Sequence, residues 1–174
     1  MHKKTLSLLL VALTAAVPAF AQEKRGPSTE AERTKAVAAI DDLEKNPFGP
    51  DAKEERRWLI FWLTEVPDIH VSVCALLPDM PKDDKKDSAI IFGQMMFAGA
   101  KYAIQHKDDP ANNLAQFQAG LAGAIRLYEG LVSQNPKDRQ PKLDELVERL
   151  HAGTLDAYVA EKAPKACSAS MKAQ

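Results

Sequence analysis

Large apolar residues recur along the chain at steps of three and four, the spacing that aligns one face of an α-helix, and no stretch alternates strictly enough to compete as a strand. A first helix is expected over 30–45, where Ala36, Val37, Ile40 and Leu43 form a thin apolar face and Thr29 with Glu32 has capping-box spacing. Asn46-Pro47-Phe48-Gly49-Pro50 stops it. A second helix is expected from Asp51, with Glu54 as its capping partner, through Trp58-Leu59-Ile60-Phe61-Trp62-Leu63. Large apolar residues in an unbroken row cover every side of a helix, so this segment is expected to be surrounded by others. Pro67 then either kinks that helix or separates a third helical segment over 68–77, which carries Ile69, Val71, Val73, Leu76 and Leu77.

A charged loop over 78–86 follows, and Asp87 is placed to cap a fourth helix over 88–106. Pro110 suits the first position of a fifth helix reaching 134. That helix has a stripe of Leu114, Phe117, Leu121, Ile125, Tyr128, Leu131 and Val132. Asn135-Pro136 ends it, and Pro141 opens a sixth with Leu143, Leu146, Val147 and Leu150 on one face. Gly153-Thr154 restarts a last short helix to 162, after which Pro164 releases a small-residue tail. The expected fold is all-α: a compact bundle of about six or seven helices around apolar central helices at 51–77, 88–106 and 110–134.

The first 21 residues belong to a different pattern. His2, Lys3 and Lys4 precede an apolar run from Leu6 to Val17, and Pro18 then leads to Ala19-Phe20-Ala21. A positive start, a short apolar core and small residues at the cleavage positions are the parts of a secretory signal peptide. The run is shorter than the roughly 20 residues a bilayer span needs. Cleavage after Ala21 is expected, with no cysteine following it to carry a lipid anchor. The expected organisation is a leader over 1–21, a flexible lead-in over 22–27, a single helical domain over 28–163 and a tail over 164–174, exported to the periplasm or beyond the cell.

Charge and cysteine content change meaning once the leader is set aside. It holds two of the 23 basic residues and none of the 24 acidic ones, so the remainder has 21 basic against 24 acidic, a net −3. That balance offers no long-range attraction to nucleic acid. The most apolar later stretch, 89–104, is interrupted by Gln94 and Lys101 and is expected as a buried helix, so no membrane span is expected in the mature chain. Cys74 and Cys167 would enter an oxidising compartment. They are candidates for a disulfide stapling the tail to the core, with a free buried Cys74 as the alternative.

Ala124, Tyr128, Leu131 and Pro136 have the spacing that resembles the second helix of a tetratricopeptide repeat, over some 13 residues. No second copy follows or precedes at about 34 residues, and the fifth helix's stripe runs straight through the place where the repeat's turn would fall. A degenerate repeat unit is therefore the lesser expectation beside a generic helix-ending pattern.

Chemistry-bearing residues are dispersed. His70, His106 and His151 lack a histidine or cysteine at paired metal-ligand spacing, apart from His70 with Cys74 four residues on, where apolar surroundings disfavour a thiolate. Asp79, Asp83, Asp84 and Asp87 alternate with lysines and lack a calcium-loop pattern. No metal and no cofactor is expected. Gly93 and Gly99 in the fourth helix, and Gly120, Gly123 and Gly130 in the fifth, point to close helix packing, or to a groove where ligand meets backbone. If a pocket lies between these helices, Gln94, Met95, Tyr102, Gln116 and Tyr128 are its candidate lining. The leading functional expectation is a non-enzymatic exported module binding a protein partner or envelope component. A small-molecule carrier or sensor using that pocket is the alternative, and a hydrolase with dispersed acidic residues the third.

Overall fold

The computed structural model describes residues 25–79, 85–109 and 112–168, with no side-chain description at 85 and 86. Six α-helices account for most of them, and no strand occurs among the described residues. They are α1 (Glu30–Lys45), α2 (Ala52–Glu65), α3 (Lys85–Gln105), α4 (Asn113–Gln134), α5 (Pro141–His151) and α6 (Leu155–Ala166), with a 3-10 turn over Pro136–Asp138. The expected fourth and fifth helices are thus α3 and α4. The expected leader over 1–21, Asp83, Asp84 and Pro110 lie outside the described residues.

Pairing of α3 with α4 forms the centre of the molecule. Gly120 and Gly123 make it possible. A Cβ added at Gly120 would stand 2.7 Å from the Met95 carbonyl oxygen, and one at Gly123 would collide with the Ala98 methyl. The two backbones meet at a distance that no larger residue permits. Of the two readings of the glycine density, close packing is the one the structure bears out at these positions.

Each side of this pair carries its own apolar cluster. On one side, Phe97, Ala100, Ala103 and Ile104 of α3 pack with Ala36, Ile40 and Leu43 of α1 and Leu59 and Trp62 of α2. On the other, Ile91 and Met95 of α3 and a long face of α4 pack with Leu143 and Leu146 of α5 and Leu155, Val159 and Ala163 of α6. Leu114, the first residue of the expected α4 stripe, is exposed.

The helix ends show which local signals operate. At α1 the capping box forms as expected: Thr29 N–H donates to Glu32 Oε2 at 2.8 Å and Glu32 N–H to Thr29 Oγ1 at 3.2 Å. Asp51, by contrast, has helical backbone angles and makes no capping bond at α2. Asp87 lies inside the first turn of α3 rather than before it, where its charge still suits the helix dipole. Asn112 caps α4, its Oδ1 accepting from Ala115 N–H at 3.1 Å. Gly153, with φ of 68°, makes the left-handed turn between α5 and α6.

Three larger expectations are also overturned. The segment 68–77 is not helical, so Pro67 neither kinks one helix nor separates two: it opens a connector without regular secondary structure. Val66, Ile69, Val71 and Val73 are β-branched and favour extended backbone. Polar side chains of α4 supply partners for that backbone: Ser72 N–H donates to Gln116 Oε1 at 3.0 Å, and Ser72 Oγ bonds Asn113 Oδ1. α2 is not surrounded either. Leu59 and Trp62 are buried, but Ile60 is 51% and Phe61 64% exposed, because α1 and α3 cover it from one side alone. Finally, Pro164 does not release the tail: α6 runs past it to Ala166, and Cys167 follows, fully buried and bonded to Cys74 with Cα atoms 4.8 Å apart.

Candidate functional site

The expected pocket between α3 and α4 reduces to a void of about 10 Å³ bounded by Met95, Gln116, Phe117 and Gly120 among others. Of the five candidate lining residues, Met95 and Gln116 meet there, and the other three are engaged elsewhere. Gln94 is buried, its Nε2 donating to the Ile40 carbonyl at 3.3 Å and lying 3.5 Å from Glu44 Oε2. Glu44 in turn takes a two-pronged bond from Arg126, at 2.6 and 3.1 Å, so this network ties α1, α3 and α4 together. Tyr102 stacks on His106, ring centroids 3.9 Å apart. Tyr128 is buried. Its hydroxyl accepts from Gln140 N–H at 2.7 Å and donates to Asp144 Oδ1 at 2.9 Å. Burial, with Asp144 beside it, pushes the Tyr128 phenol up to about 12 against the Gln140 bond.

A groove of about 850 Å³ lies between α1 and α2. Ala38 and Ala39 of α1 leave the room, and Trp58 and Phe61 of α2 form its apolar wall. Trp58 is held in place from both sides. It stacks on buried Trp62 at 5.6 Å, and Lys35 Nζ sits 4.1 Å over its ring.

Acidic residues close one end. Asp42 of α1 faces Glu55 of α2, and Glu54 lines the same end. Burial first, then the charges of Asp42 and Asp51 and a hydrogen bond shared with Asp42, hold the Glu55 carboxyl above the usual range, while Arg56 pulls the other way. Asp42 also accepts from Asn46 Nδ2 at 2.9 Å. Two facing carboxyls beside an aromatic wall suit a ligand that is apolar at one end and cationic at the other.

Sequence reasoning misses this groove. Its residues are in plain view, but the solid apolar row of α2 signals burial; the usable signal is the small Ala38-Ala39 pair opposite it. The three histidines do not converge. His70 is exposed, His106 Nδ1 lies 2.9 Å from the Tyr102 carbonyl oxygen, and His151 Nε2 lies 2.8 Å from Glu129 Oε1. Cys74, spent in the disulfide, forms no pair with His70. Among the described residues no cluster of His, Cys, Asp or Glu could hold a metal ion, and no helix is long and apolar enough to cross a membrane.

No family model matches the chain, and no curated protein or solved structure matches it either.

Proposed function

We propose that this chain is an exported, non-enzymatic binding module, and that its α1–α2 groove takes a segment of a partner protein or envelope component pairing an apolar side chain with a cationic one. The exposed aromatic wall of Trp58 and Phe61 above the Asp42–Glu55 pair is the observation that carries this reading. An aromatic as large as Phe61 left uncovered beside a groove is a feature of recognition surfaces. A cation seated between the carboxyls would relieve their mutual repulsion. Export rests on the leader expected over 1–21, with the Cys74–Cys167 bond as a hint in the same direction. Carriage of a small molecule between α3 and α4 has weaker support, since the void there holds about one water.

Trp58 and Trp62 are the chain's two tryptophans, so intrinsic fluorescence reports directly on the groove. Titration with short peptides that pair an aromatic residue with Arg or Lys is expected to shift the emission. Ala38→Arg, which fills the groove and neutralises its acidic end, is expected to abolish the shift. Emission that stays constant across such peptides, or shifts equally in the Ala38→Arg protein, defeats the proposal.

The Glu55–Asp42 pair favours a second reading. A carboxyl held above its usual range by burial and set beside a second carboxyl can serve as proton donor in a hydrolysis. Turnover separates the two: cleavage of a screened ester or glycoside substrate that Glu55→Gln eliminates supports the second reading, whereas peptide binding without turnover supports the first.

A further inference from the structure

Beyond that reading, the outer face of α2 carries a second feature. Lys53, Arg56, Arg57, Ile60, Phe61 and Thr64 line one shallow surface along the helix, basic at its N-terminal end and apolar at its centre. Glu65, exposed, follows at the flank that also carries Phe61. The order of charge along this face is therefore cationic, apolar, anionic.

We propose that this stripe is a self-association surface, and that its occupant is α2 of a second copy of this chain, packed antiparallel about a two-fold axis through the Ile60–Phe61 step. Such an axis sets Ile60 level with Phe61 of the second copy, Arg57 with Thr64, and Glu65 with Arg56. Glu65 then falls beside the second copy's Arg57, and the same ion pair recurs on the other side of the axis. In one copy Arg57 holds Glu54, and both are largely exposed, so the guanidinium is free to take a further carboxylate from outside. The charge order makes the face complementary to its own reverse. An anionic membrane is the poorer fit, since Glu54 and Glu65 flank the apolar centre and repel it. A helix of 14 residues is about 21 Å long, and a contact of that length belongs with the smaller interfaces, so a reversible, micromolar dimer is expected.

The surface meets the α1–α2 groove at Arg57 and Phe61, but the groove's depth comes from Ala38 and Ala39 on α1. The two can therefore be tested apart. Sedimentation velocity of the purified protein from micromolar to millimolar concentration is expected to show monomer giving way to dimer. Ile60→Asp should hold the protein monomeric throughout with its helical circular dichroism unchanged. Arg57→Glu, which sets like charges together twice, should weaken association about tenfold, and adding Glu65→Arg to it should restore the dimer. Ala38→Arg should dimerise like the original protein even where it has lost groove binding. A monomer at every concentration overturns the proposal, as does failure of the double variant to recover. So does binding to phosphatidylglycerol vesicles that Ile60→Asp abolishes while the original protein stays monomeric.

Discussion

At the scale of single residues, three hydrogen-bonding side chains carry sharp consequences. Glu55 has its carboxyl held above the usual range by burial and by Asp42. The folded chain therefore keeps a proton that the unfolded chain releases, and stability falls as pH rises from the unfolded value through the folded one. Glu55→Gln removes that loss. Its melting temperature is expected to exceed that of the original protein at pH 7 and to converge with it near pH 4, in thermal unfolding followed by circular dichroism. Asp68 has the opposite sign. Burial opposes its charge, but Ser28 N–H and Oγ, both at 2.7 Å, and Arg33 hold its carboxyl below the usual range. The stability it supplies is present at neutral pH and is lost as pH falls through the folded value. Asp68→Asn should cost roughly 1–2 kcal/mol at pH 7 and nothing in strong acid. Tyr128 acts without titrating: Tyr128→Phe takes the Gln140 N–H acceptor away and should cost about 1–3 kcal/mol in a urea titration.

At the scale of elements, α4 holds the clearest contrast. Gly120 lies against the Met95 carbonyl, whereas Gly130 has nothing near the place of an added Cβ. Gly130→Ala should therefore stabilise by up to about 1 kcal/mol through helix propensity alone. Gly120→Ala should destabilise despite the same gain, because separating α3 from α4 costs about 1–3 kcal/mol of packing. Equal effects in paired denaturant titrations would contradict the close approach. The amphipathic elements are legible in the amino-acid pattern alone: Thr29 with Glu32 marks the start of α1, Pro141 that of α5, and the stripe from Phe117 to Val132 the buried face of α4. Burial direction is legible only where apolar residues are spaced. In the solid row of α2 every face looks equally apolar, and position in the bundle alone decides that Leu59 is covered and Phe61 is not. The connector departs from its helical expectation for a related reason. A run such as Val71 to Leu77 suits a buried helix and an extended strand equally in hydropathy, and what settles it is Gln116 and Asn113, polar groups more than 40 residues away that bond it at Ser72. The candidate site lies beyond reach of the sequence because it needs two helices placed side by side: neither Ala38 nor Phe61 signals a groove alone.

At the scale of the whole molecule, the Cys74–Cys167 bond joins the parts least held by helix packing. The connector has few backbone bonds of its own, and the end of α6 continues past Pro164, which lacks the N–H a helix interior uses. Cross-linking them closes a loop spanning 93 positions, from the middle of the chain to its end. Both sulfurs lie within the cluster formed by α4, α5 and α6, so the bond completes that cluster rather than decorating its surface. The α1–α2 cluster on the far side of α3 shares no residue with it. Removal of the bond should therefore act unevenly. A Cys74→Ser/Cys167→Ser protein is expected to remain helical but to lose about 4 kcal/mol in the chain-entropy account. For a chain of this size that is a fall in melting temperature of roughly 8–16 °C. Limited proteolysis should then cut first within 67–79 and after Ala163, while α1, α2 and the end of α3 stay protected and the emission of Trp58 and Trp62 is unchanged. Equal protection of both ends with and without the bond would mean that packing, not the disulfide, holds the connector and the end of α6. Loss of the tryptophan signal at the same time would mean that the two clusters fold as one unit across the α3–α4 pair, with the groove dependent on a bond on the opposite side of the molecule.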